Sequence, residues 1–184
     1  MTWSTLPTVH PSAPSRPFLF ARLAVALGVA ALAGCNMSDE AEELSGGYLY
    51  RNEGPDTKEL LSNRKGMPSI FGRVVRYGYN ADFVVAAQRP MYDEYRYGLG
   101  ADLRSDPRKY PTNSTAEREA SERVADSLLA HDPHYRAVFA HGTNYWIIAH
   151  GPGKVYGPLT YPEYVQQARA LQVPNKLAIE AESE

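Results

Sequence analysis

Four histidines, His131, His134, His141 and His150, lie close together in the C-terminal half of the chain. Imidazole is the commonest side-chain metal ligand and the usual proton carrier near neutral pH. His131 and His134 have the three-residue spacing that places two side chains on one helical face. Asp126 or Asp132 would complete a small ligand set beside them. Pro133 stands between the two histidines, however, and breaks a continuous helix there. Solvated histidines beside turns are therefore the first reading, and a small enzyme or metal-binding protein using His131, His134, His141 and His150 is the alternative.

Other chemistries find less support. There is no Gly-x-Ser-x-Gly elbow and no His-Glu-x-x-His pair. Gly151-Pro-Gly-Lys154 lacks the spacing of a phosphate-binding loop, and its proline removes an amide donor. Asp93 and Glu94 are adjacent, which does not set two carboxylates across one glycosidic bond. No catalytic residue, metal or cofactor is assigned from the sequence. Recognition is better served. Tyr92, Tyr95, Tyr97 and Tyr110 stand among charges, Arg96 included, between Arg89 and Asn113. Tyrosine combines a rigid apolar face with a hydroxyl, which suits protein or glycan recognition. Tyr92, Tyr95, Tyr97 and Arg96 are the candidate binding residues; alternatively the rings cover a sheet edge.

The elements that must position these residues are legible in part. Tyr48–Asn52 reads as a first short strand and Thr57–Lys65 as one or two helical turns before Gly66 and Pro68. Ile70–Tyr79 and Phe83–Ala87 are β-rich runs joined across Asn80-Ala-Asp82, with Val74, Val75, Phe83, Val84 and Val85 as core candidates. The proline- and glycine-punctuated stretch Arg89–Asn113 reads as a partly ordered surface loop. Ser114 and Glu117 form a capping box opening a helix to about His131, with Ala116, Ala120, Val124 and Leu128 as its apolar stripe. Asn144–Ala149 is the strongest strand, returned through Gly151-Pro-Gly153 to Lys154–Tyr156. Thr160 and Glu163 form a second capping box, opening a helix that stops at Pro174. Trp146, in the strand, is expected in the core. The fold class is α+β: a small antiparallel sheet with a mid-chain helix and a C-terminal capped helix.

The single cysteine has a context of its own. Arg22 leads into an apolar run from Leu23 to Gly34, too short to span a bilayer, that stops at Cys35. Cationic lead, short apolar run and small-residue end are the parts of an export signal. Leu32-Ala33-Gly34-Cys35 resembles the lipobox of bacterial lipoproteins. The resemblance implies cleavage before Cys35, lipid on its sulfur and a membrane anchor facing the periplasm. Asn36, in place of an aspartate, favours the outer membrane in a Gram-negative host.

Removing residues 1–34 from the 184 leaves 150, enough for one domain. The remainder carries 17 basic and 21 acidic residues, a net charge of −4 that disfavours nucleic acid. With Cys35 lipidated no thiol remains for a disulfide, a nucleophile or a metal. The expected organisation is residues 1–34 as signal, 35–47 as an acidic tether, 48–177 as one domain and 178–184 as a frayed acidic tail. The expected partners are the membrane, through Cys35, and another envelope protein or a glycan.

Asn144-Tyr-Trp-Ile-Ile, Lys154-Val-Tyr-Gly-Pro-Leu-Thr, Tyr164 and Val173-Pro174 resemble a family of small bacterial lipoproteins known only as a domain of unknown function. Gly46–Gly54 and Asp82–Gln88 are similar to its first half. The order strand–turn–strand–Gly-Pro–helix is also similar to peptide-binding modules of the Gly-Tyr-Phe type. The first resemblance implies an envelope lipoprotein and assigns no activity.

Overall fold

The computed structural model describes residues 40–182, so the signal segment and Cys35 lie outside the described residues. Seven strands run side by side in chain order: β1 (Glu40–Glu43), β2 (Tyr48–Asn52), β3 (Lys58–Ser62), β4 (Arg73–Tyr79), β5 (Phe83–Arg89), β6 (Asn144–Ala149) and β7 (Lys154–Leu159). All neighbours pair antiparallel except β3 and β4, which meet in parallel at Lys58 and Arg73 alone. Among the described residues four α-helices accompany the sheet: α1 (Tyr92–Arg104), α2 (Thr115–His131), α3 (Pro133–Val138) and α4 (Tyr161–Ala170). The chain is an α+β protein, with both the mid-chain and the C-terminal capped helix in place.

Strand alternation sorts side chains into two cores. Val84, Ala86, Trp146 and Ile148 face one side, where they pack with Tyr95 and Leu99 of α1, Ala125 and Leu129 of α2 and Val138 of α3. Val85, Ala87, Tyr145 and Ile147 face the other, against Tyr164 of α4 and Leu177 and Ile179 of the C-terminal segment. Strand β6 is buried along its whole length because both faces are covered.

Local chemistry explains the best-formed elements. Asn80 turns β4 into β5 by accepting the amides of Asp82 and Phe83 on its side chain, at 2.9 and 2.8 Å. Ser114 Oγ accepts the Glu117 amide while Glu117 accepts the Ser114 amide, at 3.3 and 3.4 Å, which opens α2. Glu163 accepts the amide and the hydroxyl of Thr160 at 2.8 and 2.7 Å at the start of α4. These hydrogen bonds hold the Glu163 carboxyl below its ordinary pKa.

Four expectations are corrected. Arg89–Asn113 is not a loop, since α1 occupies most of it. Gly98 and Gly100 argue against a helix by propensity, yet they are what lets α1 pack. A Cβ on Gly98 would sit 2.3 Å from the buried Phe71 ring, and Gly100 lies against Ser121 and Glu122 of α2. Gly98→Ala would gain about 1 kcal/mol at an open helical site. Here it is expected to cost about 1–3 kcal/mol through overpacking, read as a lower urea midpoint at an unchanged m-value.

Thr57–Lys65 is likewise not helical turns; Lys58–Ser62 is strand β3, drawn into the sheet by fully buried Leu60 and by pairing of Glu59 with Arg51. The acidic tether is structured from Glu40, where β1 pairs with β2 and Leu44 enters the core. The C-terminal tail does not fray at Ala178: Ile179 is buried and Glu182 is bonded to the body of the protein.

The acidic strand β1 owes its order to the way the sheet curls. Adjacent strands lie about 4.8 Å apart, so a flat sheet would hold β1 about 14 Å from β4. Instead Tyr50 of β2 stacks on Tyr77 of β4 at 4.3 Å. Glu42 of β1 accepts the hydroxyls of Tyr77 and Tyr79 at 2.5 and 2.8 Å. The β1–β3 ribbon therefore folds across β4. Those two hydroxyls hold the Glu42 carboxyl below its ordinary pKa.

Candidate binding site

The helical path of α1 separates the four residues predicted to bind together. Tyr95 is a core residue, 2% exposed, packed edge-on against Phe71 and Phe139 at 5.7 and 5.3 Å. Arg96 is committed to α2, with Nε 2.8 Å from Asp126 and Nη1 2.9 Å from Glu122. Tyr92 donates its hydroxyl to Asp126 at 3.2 Å and lays its ring against Phe139. Tyr97 faces outward at 56% exposure, and Tyr92 is 48% exposed. Tyr92 and Arg96, four residues apart on one helix face, meet on Asp126, while Tyr95 turns into the core, so the four form no single surface.

The histidines do not converge either. His131 contacts Ser127 O of its own helix through Nδ1 at 2.9 Å. His134 is edge-on to Trp146 at 6.2 Å, and burial pushes its pKa down. His141 precedes β6 and is exposed, whereas His150 follows it, with Nδ1 2.8 Å from Ala81 O. The six residues of β6 hold those two about 20 Å apart. Among the described residues no group of three His, Cys, Asp or Glu side chains is placed to hold a metal ion.

Sequence reasoning missed a Ser-x-x-Lys spacing at Ser62 and Lys65. Catalytic use of that spacing needs a helical turn to bring the amine onto the hydroxyl. Here Ser62 ends β3, and its hydroxyl donates to Arg64 O at 3.3 Å and accepts the Arg64 amide at 3.2 Å. Both residues line a polar cleft of about 650 Å³ with Arg64, Arg108, Asp102 and Asp106. Among the described residues no hydrogen bond joins Ser62 to Lys65.

An apolar cleft forms on the opposite face, where α4 lies over β6. It measures about 600 Å³ and is walled by Tyr161, Tyr164, Val165, Ala168, Val173 and Ile179, with Arg169, Gln172 and Asn175 at its polar margin. Such a volume suits a small ligand or a few residues of a peptide. The tyrosines come from two elements. Tyr161 and Tyr164 are one helical turn apart on α4, and their rings stand 5.3 and 5.4 Å from that of Tyr145 on β6. Tyr164 is buried, which raises its pKa, and its hydroxyl accepts the Ile179 amide at 3.1 Å. Tyr161 also lines a second recess of about 330 Å³, shared with His141, Thr143, Tyr145, Thr160 and Glu182. Arg169 is exposed and makes no ion pair among the described residues.

A signal for this site was present in the sequence, in Tyr161 and Tyr164 at helical spacing just after a tyrosine-bearing strand. Nothing in the local pattern shows that the Tyr145 ring packs against both.

Fold and cleft together define an α+β protein with a tyrosine-walled cleft beneath α4. Comparison of the chain with protein-family models, curated sequences and solved structures returns no match. Among the described residues no helix is long and apolar enough to cross a membrane.

Proposed function

We propose that this chain is a lipid-anchored cell-envelope protein, tethered through Cys35, that binds a partner in the cleft beneath α4. The anchor reading rests on Leu32-Ala33-Gly34-Cys35 and on the charged and apolar segments before it. Several acyl chains on one cysteine would hold the domain stably at a membrane. The binding reading is carried by one observation. The cleft has an apolar wall with tyrosine hydroxyls and, at its margin, Arg169, which makes no ion pair among the described residues.

The test is photo-crosslinking in cells, with benzoylphenylalanine in place of Tyr161 or Gln172 and, as a control, in place of exposed Val124 on α2. A discrete adduct is expected from the cleft positions and not from Val124. Cys35→Ala is expected to accumulate an unprocessed precursor that takes up no acyl label and to lose the adduct. Acyl labelling of Cys35→Ala equal to that of the native chain would overturn the anchor. Identical adducts from all three positions would overturn the cleft.

A further inference from the structure

We infer that residues 177–182 are a peptide ligand held in cis. The groove they fill accepts an extended segment of a partner protein with the same pattern, apolar-x-apolar-x-x-acidic. This rests on the binding role proposed for the α4 cleft and names both its ligand and its control.

The segment is seated like a ligand rather than woven into the fold. Leu177 and Ile179 are buried at 7% and 6% exposure, while Ala178 and Glu180 between and after them face outward. Leu177 ends a 3-10 turn over Asn175–Leu177, and from Ala178 the backbone is extended along the apolar surface. Among the described residues, however, no strand pairing joins it to the sheet. The Leu177 and Ala178 amides close the short 3-10 turn on Pro174 O and Asn175 O, at 2.9 and 3.0 Å, and beyond it side chains meet two further amides. The Ile179 amide donates to the Tyr164 hydroxyl at 3.1 Å, and the Glu182 amide donates to the Tyr145 hydroxyl at 2.8 Å. Glu182, 13% exposed, lies 2.6 Å from Arg76 Nε. That contact is ionic, since Glu182 Oε1 accepts no hydrogen bond among the described residues.

Two apolar sockets, two tyrosine hydroxyls reading main-chain amides and one arginine reading a carboxylate make a recognition set. Any extended chain of the same pattern satisfies it.

The same segment also walls three recesses. It closes the cleft of about 600 Å³ on the α4 side and one of about 370 Å³ beside Val75, Arg76 and Gly78 of β4. Its end borders the third, about 330 Å³, beside Tyr145 and Tyr161. When the tail lifts, these merge into one groove across the sheet face. A tethered tail competes at an effective concentration near the millimolar range. The partner segment therefore enters in proportion to how often the tail opens.

The test uses three proteins in mild detergent: the intact chain, the chain ended after Lys176, and the intact chain carrying Ile179→Asp. The probe is a fluorescein-labelled synthetic peptide with the sequence of residues 174–184, followed by anisotropy. The shortened chain and Ile179→Asp are expected to bind it, and the intact chain at least about ten-fold more weakly. In the shortened chain, Tyr145→Phe and Tyr164→Phe are each expected to weaken binding about five-fold. A peptide with aspartate at the positions of Leu177 and Ile179 is expected not to bind.

A shortened chain that melts cooperatively yet ignores the peptide would overturn the inference, as would equal binding by the intact chain. So would an intact chain that runs as a tail-exchanged dimer and binds peptide only as such. Should the shortened chain fail to fold, Ile179→Asp carries the same decision. Peptide binding lost while crosslinks at Tyr161 and Gln172 persist would refute the cis ligand alone. Peptide binding without a cellular adduct would refute the envelope partner alone.

Discussion

Gln88→Ala is expected to lower stability by about 4 kcal/mol, at the exceptional end for a single substitution. Gln88 is fully buried and joins four groups from three parts of the chain: the turn before β4, α1 and β6. Its Nε2 donates to Phe71 O and to the Tyr95 hydroxyl, the latter at 2.8 Å. Its Oε1 accepts from Trp146 Nε1 at 3.0 Å and from Asn144 Nδ2 at 3.4 Å. The orientation of the amide follows from its partners, because an indole nitrogen can only donate and a carbonyl can only accept. Removing the side chain leaves the Trp146 N–H and Phe71 O buried without their partner, each costing about 1–3 kcal/mol, and opens a cavity beside Trp146.

Denaturant melts of Gln88→Met, Trp146→Phe and the double variant isolate the polar part. The double variant is expected to be more stable than the sum of the singles predicts, by about 1–2 kcal/mol. Strict additivity would show that Gln88 fills space and nothing more.

The second large effect concerns Arg51 and Glu59, cross-strand partners on β2 and β3. Glu59 is 1% exposed, and both Nε and Nη2 of Arg51 reach its Oε2, at 3.2 and 2.5 Å. Burial pushes the Glu59 carboxyl above its ordinary pKa even against the pull of Arg51. Arg51→Ala removes that pull and strands a carboxylate, and it is expected to cost about 3 kcal/mol near neutral pH.

The pH dependence follows from the raised pKa. A carboxyl whose pKa is higher in the folded protein binds its proton more tightly there. Its contribution is fully present below the unfolded value and is lost as pH rises through the folded one. The deficit of Arg51→Ala is therefore expected to shrink at acid pH and to widen above it. Melts at pH 4 and pH 8 read this directly, and Glu59→Gln in the same background is expected to flatten the profile. A deficit equal at both values would mean that Arg51 acts through packing alone.

Glu42 runs the other way. Its pKa is lowered by Tyr77 and Tyr79, so its contribution is present above the unfolded value and lost as pH falls through the folded one.

What was legible in the sequence was local. The turn at Asn80, the hairpin at Gly153, both capping boxes and the strands β4 to β7 are specified by neighbours within a few residues, and all stand in the structure. So is the class, α+β, because strand runs and capped helices alternate along the chain in plain view. What tertiary structure decided was each place where a distant partner outweighs local preference. Gly98 and Gly100 disguise α1 as a loop, and only Phe71 and α2 reveal why a helix there needs them. β1 carries a spacer's composition, and only the curled ribbon brings Tyr77 and Tyr79 to Glu42. The tail is acidic enough to read as frayed, and only Tyr145, Tyr164 and Arg76, from elsewhere in the chain, seat it.

The cleft beneath α4 belongs to that second kind. Its tyrosines were visible as residues, but a site is a juxtaposition, and residues 76, 145, 161 and 179 become neighbours only when α4 and the tail close over the sheet. Local sequence carries the energetics of caps and turns. The meeting of distant side chains depends on burial against partners that no local window contains.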